Sequence, residues 1–222
     1  MNLREELFKN QDIGYREFHR RLLPGYTARE IIGVRLPVLR KLAKQALKEN
    51  AENRCEYYEE VMVYGLTLGL KKGSAAEHME DLRPFVPLID NWAVCDSCCS
   101  GFKFTAKYRA EMYDFICSYL GKSEFEYRFA IVMLMDYYLT DDYIDRVLPI
   151  LAEVRSDAYY VNMAAAWAAA EAYIRFPEKT KPFFEEKRFS AEVQNKGIQK
   201  IRDSFRVSKE KKASLGKLKI QG

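Results

Sequence analysis

Apolar positions recur with a helical period almost from one end of this chain to the other. In "LPVLRKLAKQALKE" (36–49) they fall at 36, 39, 42, 43, 46 and 47, one face of a helix, and Pro37 occupies a first-turn position that suits its missing N–H. "CEYYEEVMVYGLTLGLKKG" (55–73) reads as a helix closing at Gly73. "SAAEHMEDLRPFV" opens on Ser74 and Glu77, the spacing of a capping box, and "SEFEYRFAIVMLMDYYL" repeats that spacing with Ser123 and Glu126. "DDYIDRVLPILAEV", "DAYYVNMAAAWAAAEAYIRF", "SAEVQNKGIQKIRDSFR" and "SKEKKASLGKLK" complete the set. No alternating strand or Asn-Gly hairpin signal interrupts it. The pattern predicts an all-α protein of about a dozen helices.

The helices pair from Lys107 onward: 107–120 with 123–139, 141–154 with 158–175, and 178–187 with 190–206. Each pair spans roughly 35 residues, a period that suits stacked helical hairpins and predicts an α-α solenoid with a concave face. A closed helical bundle is the alternative. One domain over 1–222 is expected, since 48% of the residues are apolar and can fill a core of that size. No uncharged apolar run reaches membrane-spanning length, and "MNLREELFKNQD" lacks the apolar stretch of a secretory signal. Five cysteines, an odd number, make a poor disulfide framework, so a cytoplasmic protein is expected.

Charge adds an asymmetry. From Lys187 to the end, eleven Lys and Arg face three acids, leaving that segment at +8 within a chain of net charge +4. Such a block suggests a polyanionic partner, or else a solvated tail.

Four residues look out of place in a core. Trp92 and Asp96 lie one helical turn apart in "NWAVCD", Arg128 lies near the start of a helix that is otherwise very apolar, and Trp167 is ringed by alanines. Singly, each has a plain explanation: a core indole, a capping or solvated carboxylate, an arginine paired with Glu124. Together they fall in successive repeats, 32 residues from Asp96 to Arg128 and 39 from Arg128 to Trp167. Positions one repeat apart can share a surface. Cys95, Cys98 and Cys99 resemble half a zinc site, but no second ligand pair accompanies them. Cys95 and Cys99 share a helix face and read as small buried hydrophobes.

At these positions the chain resembles the AlkD-like DNA alkylation repair glycosylases, which are built from HEAT-like helical repeats. The resemblance rests on "IIGVRLPVLRKLAK" (31–44), "NWAVCD" (91–96), "EYRFAIVML" (126–134) and "VNMAAAWAAAEAY" (161–173), in order and at matching intervals. "NKGIQKIRDSFRVSKE" (195–210) is similar to a Gram-positive branch of the family. Asn91 and Ala93 stand where its best-known members carry a second aromatic and a second acid. The resemblance implies a right-handed α-α superhelix with a concave DNA-binding face, acting as a monomer in the bacterial cytoplasm, without metal or cofactor. Its implied substrate is double-stranded DNA carrying N3-alkyladenine or N7-alkylguanine, and its reaction hydrolysis of the glycosidic bond without a base-reading pocket. It also implies that Asp96 acts at the deoxyribose, that Trp92 and Trp167 line the groove, and that Arg128 grips a phosphate. Arg35, Arg40, Lys41, Lys103, Lys107, Lys196, Lys200, Arg202, Arg206 and Lys209 would then contact the DNA backbone, and binding would weaken with salt. A non-catalytic module that holds damaged or branched DNA, or a protein-interaction scaffold, would share the fold; loss of Asp96 separates enzyme from binder.

Overall fold

The computed structural model describes residues 1–23 and 28–220. Among them are fourteen α-helices and no strand; a single isolated bridge joins Glu30 to Tyr57. The chain divides into two compact units, Met1–Phe115 and Ile116–Gly222.

The first unit holds α1 (Leu3–Lys9), α2 (Ile13–Leu22), α3 (Leu36–Glu49), α4 (Tyr58–Leu68), α5 (Ala75–Phe85), α6 (Trp92–Cys99) and α7 (Phe104–Lys107). Helix α8 (Arg109–Cys117) follows. Helix α3 has the bounds its apolar stripe implies, with Pro37 in its first turn and Leu39, Leu42, Ala43 and Ala46 buried. Helix α5 has the expected capping box: Ser74 Oγ accepts from the Glu77 N–H at 3.3 Å, and the Glu77 carboxylate accepts from the Ser74 N–H at 2.8 Å. Helix α4 is shorter than the expected 55–73. Its start is displaced by a turn in which Cys55 takes a positive φ of 55° and donates its N–H to the Asn53 side chain at 3.0 Å. At its other end the Leu70 and Lys71 N–H groups reach back only three residues, which unwinds the last turn. The expected helix 107–120 is broken at Tyr108, whose hydroxyl donates to the Gly73 carbonyl at 2.9 Å.

A buried carboxylate organises the loop before α3. Glu59, fully buried on α4, accepts the N–H of Ile32 at 2.9 Å, of Gly33 at 2.7 Å and of Val34 at 3.1 Å. Gly33 turns there with φ 98°, and a Cβ on it would lie 2.5 Å from the Arg16 Cβ and 2.7 Å from the Asp12 carbonyl oxygen. Gly33→Ala combines a left-handed backbone with a clash against fixed atoms. It should destabilise the protein by about 2–4 kcal/mol in urea denaturation; a loss below about 0.5 kcal/mol would show that the loop yields freely.

The second unit holds α9 (Glu124–Tyr137), α10 (Ile144–Glu153), α11 (Tyr159–Arg175), α12 (Pro177–Glu185), α13 (Ala191–Asp203) and α14 (Lys209–Gly216). Helix α11 packs against both α9 and α13, while α10 packs against α12. This alternation is that of stacked helical hairpins, so the all-helical repeat fold stands as expected. The alanines of α11 explain how one helix serves two neighbours. Ala164, Ala165, Ala166, Ala168, Ala169 and Ala172 are all buried, and small side chains let backbones approach. At Gly197 of α13, a Cβ would sit 3.4 Å from the Ala166 carbonyl.

Candidate functional site

Helix α6 presents the first pair of candidate residues. Asn91 caps it, accepting the Val94 N–H at 2.9 Å, and is itself buried. Behind the cap, Asp90 accepts the Asn91 amide at 2.8 Å and pairs with Arg29 at 2.7 Å. Arg29 also donates to the carbonyls of Leu88 and Cys55. The start of α6 is therefore anchored to two other segments of its unit. Ala93, Val94, Cys95, Cys98 and Cys99 form its buried face, which leaves Trp92 and Asp96 partly exposed, one turn apart on the other face. The Trp92 indole N–H donates to the Leu22 carbonyl at 3.3 Å, which fixes the ring against the end of α2.

The thiols lie on the inner face. Cys98 is fully buried with its sulfur 3.8 Å from the Met62 carbonyl oxygen and 3.9 Å from the Met62 sulfur. Burial pushes its thiol well above the ordinary range, which disfavours the thiolate that metal binding or redox chemistry requires. Among the described residues no group of three or more His, Cys, Asp or Glu side chains could hold a metal ion.

Arg128 and Trp167 belong to the second unit. Arg128 is 5% exposed on α9, and one of its amino groups donates to the Tyr160 carbonyl at 2.8 Å. Its guanidinium also lies over the Tyr160 ring, 5.7 Å from the centroid. Glu124 accepts the Tyr160 N–H at 2.9 Å. Two side chains of α9 thus hold both backbone groups at the beginning of α11. Trp167 is partly exposed, on the same face of α11 as Met163 and Glu171. It lines an open hollow of about 470 Å³ together with Glu171, Ile174, Lys200, Phe205 and Arg206. Arg128 is not part of that lining.

The basic residues divide by what already holds them. Arg40, Lys41, Lys103, Lys196, Arg202 and Lys209 are exposed. Arg35 is exposed but makes two bonds to one Asp12 oxygen, at 3.1 and 2.9 Å, and its guanidinium lies over Tyr15 at 4.8 Å. The Tyr15 N–H and then Arg35 hold the Asp12 carboxyl below its ordinary value. Lys107 donates to the Tyr108 hydroxyl at 2.7 Å. Lys200 is partly exposed at the hollow, and Arg206 is clamped by Glu171 through both of its terminal nitrogens.

Several positioning groups escape a reading of the sequence. Glu59 and Arg29 act through backbone groups distant along the chain, and backbone partners leave no side-chain signal. The one available hint is that Glu59 and Glu60 interrupt a stretch where Tyr58, Val61, Met62 and Val63 are buried.

No helix among the described residues is long and apolar enough to cross a membrane. No curated protein matches the chain. The family described as DNA alkylation repair enzyme matches residues 3–201, nearly the whole length, including α6 with Trp92 and Asp96, α9 with Arg128 and α11 with Trp167. The chain belongs to the DNA alkylation repair enzyme family.

Proposed function

We propose that the protein is a DNA glycosylase that hydrolyses the C1′–N bond of cationic alkylated purines, N3-alkyladenine and N7-alkylguanine, in duplex DNA. The observation that carries this reading is the outward pairing of Trp92 with Asp96 on α6, in a chain of the DNA alkylation repair family.

The chemistry fits a carboxylate and aromatic faces. A purine alkylated at N3 or N7 already carries positive charge. When its glycosidic bond breaks, the bonding electrons leave with the base and neutralise it, so no general acid is needed. Positive charge then develops on the deoxyribose, as in other glycoside cleavages. Asp96 stabilises that charge, orients the water that adds to C1′, and accepts the proton this water releases. The electron-rich face of Trp92, one turn from Asp96 on α6, favours that cationic sugar. Arg128, oriented by its bond to the Tyr160 carbonyl, is the phosphate contact proposed for the second unit. Arg40, Lys41, Lys103, Lys107, Lys196, Lys200, Arg202 and Lys209 supply further backbone contacts, and Arg35 joins them where a phosphate replaces Asp12.

Discrimination by charge tests the reading. Free 7-methylguanine and 3-methyladenine should be released from methylated duplex DNA at least about 10²-fold faster than an uncharged lesion such as hypoxanthine, because a neutral leaving base needs an acid this mechanism lacks. Tight binding of methylated DNA with no release of base would leave a non-catalytic DNA-binding module in its place.

A further inference from the structure

Phe205 is the anomaly of the second unit. It is fully exposed, whereas Phe125, Phe129, Phe183, Phe184 and Phe189 of the same unit are buried. It lies in the linker 204–208, "SFRVS", between α13 and α14. That linker is fixed on both sides of the ring. The Arg206 N–H donates to Ser204 Oγ at 3.2 Å, and the Arg206 guanidinium grips both carboxylate oxygens of Glu171. Beyond it, Ser208 caps α14 by accepting the Lys211 N–H at 3.4 Å. The ring is held in solvent at the rim of the hollow that Trp167 lines.

The hollow itself is lined by two cations, Lys200 and Arg206, and two acids, Glu171 and Asp203, while the segment around the ring is basic in balance. Lys200, Arg202, Arg206 and Lys209 lie within five residues of it, against the two acids Asp203 and Glu210. Asp203 accepts the Gln199 amide at 2.9 Å. An exposed aromatic ring among cations is the combination by which proteins stack on nucleic-acid bases while holding the backbone. Within an intact duplex the base faces are already stacked on each other. The ring gains most where that stacking is broken, at a damaged base or at the gap left when a base is lost.

We propose that Phe205 is a DNA-stacking residue that packs against the unstacked position at a lesion or abasic site. Arg202 and Lys209 contact the flanking phosphates, and Arg206 is a positioning residue that holds the linker to Glu171. This inference rests on the reading of DNA as the ligand; it does not rest on base release.

The test is equilibrium binding of two fluorescent duplexes, one intact and one carrying a single tetrahydrofuran abasic analogue. Phe205→Ala should weaken binding of the abasic duplex by about tenfold and of the intact duplex by less than about twofold. Phe205→Trp should retain wild-type affinity. Because Phe205 is wholly exposed, the thermal midpoint of each variant should match that of the wild type. Equal affinities of Phe205→Ala and wild type for the abasic duplex would overturn the inference and leave the glycosylase reading untouched. Abasic-site binding that depends on Phe205 in a protein that releases no base would uphold the inference and remove the glycosylase. Failure of the wild type to bind either duplex would overturn both. Sedimentation velocity reports the remaining occupant: a dimer that Phe205→Ala dissociates, with DNA binding unchanged, would assign the ring to a second copy of this chain and overturn the inference.

Discussion

Glu59→Ala should lower the stability of the protein by about 3–6 kcal/mol, because it strands the buried N–H groups of Ile32, Gly33 and Val34 together. That loss is comparable with the whole net stability of many domains, about 5–15 kcal/mol, so the variant should be partly unfolded at 37 °C. Glu59→Gln keeps one acceptor oxygen and a similar volume, and its loss should be about half as large. Denaturant midpoints measured with unchanged slopes check both values. A loss below about 1 kcal/mol for the alanine variant would mean that water replaces the carboxylate and that Glu59 does not hold the loop.

The same residue gives stability a pH dependence. Burial pushes the Glu59 carboxyl above its ordinary value, and the three N–H donors pull it back only in part. A folded state that holds its proton more tightly than the unfolded chain favours the protonated group. The contribution is therefore fully present below the ordinary carboxylate range and declines as pH rises through the raised folded value. Glu59→Gln should flatten that decline.

Much of the architecture is legible in the sequence because its causes are local. Ser74 with Glu77, Ser123 with Glu126 and the stripe of 36–49 each set a helix start through contacts within a turn or two. The bounds that differ have mixed causes: α4 is shortened by local turns at Cys55 and Leu70, whereas the helix expected from 107 is broken at Tyr108, which reaches Gly73, 35 residues away. The candidate site divides in the same way. The outward pairing of Trp92 and Asp96 follows from i, i+4 spacing once the buried face of α6 is known, and the alanines around Trp167 signal the close approach of α13. The environment of Arg128 does not, since its partner is the carbonyl of Tyr160, 32 residues on, and carbonyls have no residue type. Asn91 gains a meaning that spacing alone withholds. It caps the helix that carries Trp92 and Asp96.

Asp96→Asn carries the largest functional effect. The substitution preserves size and the partly exposed position on α6, and it removes the negative charge that the mechanism places beside the cationic sugar. Electrostatic contributions of this kind are worth about 10²–10³ in rate. Binding should change little by comparison, because phosphate contacts from Lys and Arg supply most of the affinity and removing an acid does not weaken them. A falling rate constant at saturating enzyme, with the dissociation constant held within about threefold, is the signature of a group that acts in the transition state.

The most direct measurement is therefore single-turnover release of 7-methylguanine from methylated duplex DNA by wild type and Asp96→Asn, with binding measured on the same duplex. The mechanism requires release by the wild type, a rate lower by about 10² in the variant, and near-equal affinities. Equal rates would contradict it, because the carboxylate on α6 would then have no part in breaking the glycosidic bond.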